Sequence, residues 1–155
     1  MKKYELTNET IIIDGRRILY RIKAVKDFAD VKKGELGGFV EREENLSHEG
    51  NCWIWHNAKV YGCAGVYDSA QLYENAEVYG SSRIYGKARV SGNARIYGGS
   101  IVRSNSMVYG AAEICGASKV CGNARIFGTA RLRKQAWAGH YFEMDEGVHE
   151  GVKFE

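Results

Sequence analysis

The 155-residue chain contains no proline and no stretch of eighteen apolar residues that could cross a bilayer as a helix. Its opening, MKKYELTNET, lacks the apolar core of a signal peptide, which points to the cytoplasm. The four cysteines, Cys52, Cys63, Cys115 and Cys121, form no CxxC pair and no metal-like cluster, so free thiols are expected and no metal site. Walker loops, GxGxxG and a Ser/His/Asp constellation are all missing. Nineteen glycines and ten tyrosines without any proline also exclude a flexible linker, which would be proline-rich and poor in aromatics.

Charge is segregated along the chain. Residues 1–50 balance ten basic against ten acidic side chains, residues 51–134 carry eleven against four, and residues 135–155 carry one against five. A basic middle and an acidic tail suggest that the middle attracts an anion or that the tail covers it.

What is present is a repeat. From residue 51 to 134 the chain reads NCWIWH, NAKVYG, CAGVYD, SAQLYE, NAEVYG, SSRIYG, KARVSG, NARIYG, GSIVRS, NSMVYG, AAEICG, ASKVCG, NARIFG, TARLRK, fourteen units without an insertion. The fourth position is always aliphatic, the second is small, and glycine fills the sixth in most units. A short strand would turn the aliphatic residue inward and its neighbours outward, while glycine at the corner takes positive φ cheaply. Three units make one triangular coil, so fourteen give about 4.7 coils of an all-β parallel β-helix. A six-residue period leaves no room for crossover helices, and recurring hairpin dipeptides are absent. Three segments are therefore expected: an N-terminal cap (1–50), the helix (51–134) and an acidic C-terminal segment (135–155). In the cap, TIIIDGRRILYRIKAV reads as a β-hairpin around Asp14-Gly15, and DFADVKKGELGG as a short helical turn.

The repeat resembles the hexapeptide-repeat, left-handed β-helix superfamily, which includes trimeric CoA-dependent acyltransferases and non-enzymatic relatives. Residues 21–62 are similar to the entry segment of uncharacterised bacterial and phage proteins commonly named acyltransferases. The left hand and a homotrimer are implied by that resemblance.

Stacking places residue i beside i+18, so the outward columns can be written down. One face alternates Lys59, Glu77, Arg95, Glu113 and Arg131, an ion-pair ladder that sets register. A second carries Trp53, Gln71, Arg89, Met107 and Arg125 beside Trp55, Tyr73, Ser91, Tyr109 and Phe127. Its apolar area suggests a subunit interface of Trp53, Trp55, Tyr73, Met107, Tyr109 and Phe127, or cover by the terminal segments. The third carries Gly65, Arg83, Ile101 and Lys119 beside Tyr67, Tyr85, Arg103 and Cys121. Arginine offers planar donors to phosphate and tyrosine a stacking surface, chemistry suited to a nucleotide-like anion. The ligand candidates are Arg83, Tyr85, Arg103, Lys119 and Tyr67, with Arg89 and Arg125 as further candidates between subunits.

The resemblance implies that a catalytic member would use a histidine as general base, often beside a loop extruded from a corner. The unbroken repeat has no such loop, and of His48, His56, His140 and His149 only His56 lies within it. The expectation is therefore a non-enzymatic trimer without cofactor that holds a small anionic, nucleotide-like molecule, as a phage sequestering protein would. The alternatives are a CoA-dependent acyltransferase, with acetyl-CoA as donor and His56 or a C-terminal histidine as base, and a structural or polymer-forming β-helix. Nucleic acid is disfavoured, because the charge is spread around the prism and no readout element is apparent. No membrane partner is expected.

Overall fold

Each unit folds as a two-residue strand at its third and fourth positions, too short to stand alone. It is held by its neighbours in the adjacent coils: Lys59 pairs with Glu77 and Val60 with Val78, in parallel register eighteen residues apart, and Glu77 in turn with Arg95. The computed structural model describes residues 2–154, an all-β parallel β-solenoid of about six turns with three sheets as its walls. No α-helix occurs among the described residues.

The aliphatic fourth positions, from Ile54 to Leu132, are buried along the axis with the small second positions between them. In one column the small residue is a serine with a second task. Ser100 N–H donates to Ser82 Oγ (3.2 Å), Ser118 N–H to Ser100 Oγ (3.2 Å) and Ala136 N–H to Ser118 Oγ (3.1 Å). The buried hydroxyls thus satisfy backbone donors that would otherwise be stranded.

The expected hairpin is present. Strands β1 (Tyr4–Ile13) and β2 (Arg17–Ala24) pair antiparallel around Asp14 and Gly15, both at positive φ as a type I′ turn requires. Strand β3 (Leu36–Val40) pairs antiparallel with β2 and parallel with Lys59–Val60, so the hairpin extends one wall of the prism. The helical turn expected in DFADVKKGELGG is not formed. Phe28 and Val31 instead exchange both main-chain hydrogen bonds, and Ala29 sits at φ +45° between them. The one short helical turn, Glu43–Asn45, is 3-10. There Asn45 is buried and fully used: its Oδ1 accepts from the Glu41 and Arg42 N–H groups, and its Nδ2 donates to Gly62 O and Ala64 O.

Six turns exceed the 4.7 implied by the fourteen units because strands lie beyond both ends of the regular repeat. Past residue 134 the acidic segment continues the coil through Trp137–Ala138, Glu143–Met144, Val148–Glu150 and Lys153–Phe154. Its step shortens, with Arg131 opposite Val148 and Trp137 opposite Lys153. Phe142 and Phe154 stack at 4.3 Å, placing rings at the end of the prism, Phe142 where the coils before it have a small residue and Phe154 opposite Ala138.

The cap is tied to the first coil by Glu41, whose Oε1 accepts from Gly62 N–H (2.9 Å) and Arg17 Nη1 (2.7 Å). Burial works against its charge, but the Gly62 N–H and the Arg17 guanidinium outweigh it and hold the carboxyl below its ordinary range. A depressed folded-state value means that this stabilisation is fully present above the unfolded value of about 4.3 and is lost as pH falls through the folded one. Glu41→Gln should therefore lower the melting temperature at pH 7 and shrink its further drop between pH 5 and pH 3, read by circular dichroism.

Candidate functional site

Stacking brings the cations of the third face into register. Gly65, Arg83, Ile101 and Lys119 follow one another as strand partners, and the column continues to Trp137 and Lys153. Beside its lower half lies a groove of about 560 Å³ lined by Arg103, Lys119, Gln135, Trp137 and Lys153, with no carboxylate among the described residues of its wall. Lys153 Nζ stands 4.5 Å over the Trp137 ring, and Trp137 Nε1 donates to the buried Cys121 Sγ at 3.1 Å, which fixes the ring. Three cations around one aromatic ring, with a low-dielectric wall behind them, favour a planar anion.

The structure divides the expected ligand set. Arg103 and Lys119 meet in that groove, whereas Arg83, Tyr67 and Tyr85 line a second one of about 510 Å³ nearer the N-terminal end. There Tyr67 lies across Gly65, where any side chain would run into its ring. Asp68 shares that wall and its Oδ2 accepts from Gly86 N–H (3.0 Å), so a carboxylate opposes an anion beside Arg83. Arg89 and Arg125 are exposed on the aromatic face, in register on either side of Met107. Trp137 and Lys153 were missed by reading the repeat only to residue 134. Trp137 is eighteen residues beyond Lys119 and could have been found by extending the column; Lys153 is hidden by the shortened last step.

The aromatic face differs from its expectation at one residue. Trp53 is not on the surface: it is fully buried beneath Tyr4 and Phe28, whose rings meet it edge-on at 6.3 Å and 5.3 Å. The N-terminal segment lies over this end of the face, because an uncovered indole beside the open first coil would leave core exposed. Trp55, Tyr73, Met107, Tyr109 and Phe127 remain half-buried. Trp55 and Tyr73 stack in parallel, as do Tyr109 and Phe127.

The ion-pair column has the expected register, Lys59–Glu77–Arg95–Glu113–Arg131, with Arg131 Nε 3.4 Å from Glu113 Oε2. Outward of it run Tyr61, Tyr79 and Tyr97, stacked at 4.9 Å. Burial, with the Cys115 thiol beside its hydroxyl, pushes the Tyr97 phenol up to about 12. These rings form structure and are not poised for proton transfer.

His56 occupies a corner at φ +55°, and its Nδ1 accepts the Glu74 N–H at 2.9 Å. The same device recurs one coil on, where Glu74 Oε1 accepts from Gly92 N–H. A neutral imidazole that accepts at Nδ1 carries its proton on Nε2, so His56 has no lone pair left to act as a base. His48 is similarly engaged, with Nδ1 accepting the Lys3 N–H and its ring stacked on Tyr4. His149 turns edge-on to Phe154 in the last coil. His140 is exposed at its corner, three residues past Trp137.

Residues 88–104 match the YdcK β-solenoid repeat family. That match covers seventeen residues, and the strand register on all three walls carries the architecture. The chain is a hexapeptide-repeat β-solenoid. Over 72 residues the chain is 42% identical to a protein of Escherichia coli (strain K12) named uncharacterized acetyltransferase YdcK, an alignment covering 41% of this chain and 22% of that protein. The matched part is thus about a fifth of the relative's length.

The two tryptophans at the head of the solenoid should differ sharply in chemical denaturation. Trp53→Ala empties a site closed on all sides and should cost about 3–5 kcal/mol. Trp55→Ala, at a half-exposed ring, should cost clearly less.

Proposed function

We propose that this solenoid is an acyltransferase that takes an acyl thioester of coenzyme A, holding the donor's phosphorylated nucleotide in the groove of Arg103, Lys119, Trp137 and Lys153. The observation that carries the reading is the gathering of Arg103, Lys119 and Lys153 around the Trp137 ring. Phosphates match the guanidinium and ammonium donors, and a purine matches the tryptophan face. The relative's name supports acyl transfer as the chemistry. The acceptor's amine or hydroxyl attacks the thioester carbonyl, its proton passes to a base, and the thiolate leaves. His140 suits the role of base better than His56, because it is exposed close along the chain to the groove while His56 spends its lone pair on Glu74 N–H. Assembly as a homotrimer belongs to the same proposal, and so does a cytoplasmic location. None of the described helices is long and apolar enough to cross a membrane.

A second reading, a non-enzymatic holder of a nucleotide, is favoured by one observation: fourteen units run without a corner loop that could shape an acceptor site. Nucleotide binding is common to both readings, and turnover separates them. Calorimetry with coenzyme A should show Arg103→Ala and Lys119→Ala each weakening binding roughly ten- to a hundredfold, since a charge-assisted contact is worth about 1.5–3 kcal/mol. Arg95→Ala, on the ion-pair wall, should leave affinity unchanged.

With acetyl-CoA and a panel of amines and sugars, thiol release should appear, fall strongly in His140→Ala and persist in His56→Ala. Binding without release would favour the second reading, and absence of binding would exclude both. Light scattering should return a trimer.

A further inference from the structure

The stacked aromatic columns of this solenoid contain a missing rung. On the ion-pair wall the ladder is continuous, Tyr61 to Tyr79 to Tyr97, with centroids 4.9 Å apart and planes within 3° of parallel. On the aromatic wall the same geometry is interrupted. Trp55 and Tyr73 stack with planes 6° apart, and Tyr109 and Phe127 stack at 5.0 Å with planes 5° apart. Between the pairs the column holds Ser91: Tyr73 N–H bonds Val90 O in the next coil, and Ser91 N–H bonds Val108 O in the coil after that. The column thus carries a stacked pair on either side of a coil that supplies no ring, with Tyr73 and Tyr109 as the rings nearest the gap.

The size of the gap is set by the stacking. Two coil steps separate the rings by about 10 Å. A flat ring in contact on both faces needs roughly 7–8 Å. One ring fits, tilted as the native rungs are, and two do not. The surroundings are charged and held in place. Arg89 lies two residues before Ser91 on the same wall, is exposed, and has no acidic partner among the described residues. Together with Lys87, Gln71, Tyr73 and Asp30 it lines a groove of about 250 Å³. Gln71 locks the upper pair, accepting from Trp55 Nε1 (2.7 Å) and donating to Asn51 O (2.8 Å).

We propose that the gap at Ser91 is a binding slot for a flat aromatic or heteroaromatic ring carrying one anionic group, the ring replacing the absent rung between Tyr73 and Tyr109 and the anion meeting Arg89. The slot lies on a different wall from the basic groove and does not depend on the acyl-transfer reading.

The test uses the full chain carrying Arg103→Ala, Lys119→Ala and Trp137→Ala, which removes two cations and the ring of the basic groove. Adenosine 5′-monophosphate and phenyl phosphate serve as ring-bearing anions, adenosine as the uncharged ring, and ribose 5-phosphate as the anion without a ring. Calorimetry should show binding of at least one ring-bearing anion, at least tenfold weaker binding of adenosine, and none of ribose 5-phosphate. Ser91→Phe supplies the rung from within and should abolish binding while raising the melting temperature. Arg89→Ala should weaken binding roughly tenfold with the fold unchanged, a control that stands if the phenylalanine variant fails to fold. Failure of both ring-bearing anions to bind would overturn the proposal. So would equal binding of ribose 5-phosphate, or a folded Ser91→Phe protein that binds as tightly as its parent. Loss of assembly in Ser91→Phe with no ligand bound by the parent would assign the gap to a side chain of a neighbouring copy.

Discussion

Each coil of this protein hangs on the next through main-chain hydrogen bonds between residues seventeen positions apart, such as Tyr61 N–H to Val78 O at 3.1 Å and Asn75 N–H to Gly92 O at 2.9 Å. Strands of two residues cannot fold independently, so stability resides in the stack. The same bonds fix the lateral position of every side chain, which is why like residues form columns. They also require a corner every six residues, and the corner takes positive φ. Glycine meets that demand at Gly62, Gly80 and Gly98. Where it is replaced, the left-handed backbone costs about 1–2 kcal/mol. His56, Asp68 and Glu74 offset this cost with side chains that accept the N–H of the corner one coil on.

A stack held by main-chain bonds leaves unpaired groups where it begins. At the N-terminal end β3 continues one wall, and Asn45 imitates a coil's polar backbone with both ends of its amide. Lys3 closes the remaining side. It is fully buried, and its Nζ donates to Gly50 O, Cys52 O and Cys52 Sγ beneath the Phe28 ring. Burial lowers its pKa, opposed by the thiol beside it. A buried ammonium is tolerable here because its donors meet acceptors that the open coil would otherwise strand.

The regular part of the solenoid was legible because one rule, aliphatic at the fourth position and small at the second, repeats without insertion from Ile54 to Leu132. Column neighbours follow from it arithmetically, and Lys59–Glu77 or Arg89–Met107 needed no coordinates. What lay outside the rule was read less well. After Leu132 the step contracts and Phe142 replaces a small residue, so a period of eighteen no longer reveals that Trp137 and Lys153 share a column. Trp53 obeys the rule yet is buried, because its cover, Tyr4 and Phe28, comes from segments whose contact with the first coil has no periodic signature. His56 looked like a candidate base because an unusual residue stood at a glycine corner. Its lone pair is spoken for by Glu74 N–H, and that depends on corner geometry rather than on residue identity.

The same regularity explains where chemistry can reside. Where successive rungs are filled, as in the stacked Tyr61, Tyr79 and Tyr97 of the ion-pair face, the rings cover one another and leave no space between them. Binding requires a departure from the repeat: a column that gathers cations around one ring, as at Trp137, or one that loses a ring, as at Ser91. A small side chain on an outward column costs the fold little, since the inward Val90 and the coil-to-coil bonds on either side are intact. The outward positions can therefore change ligand without changing architecture.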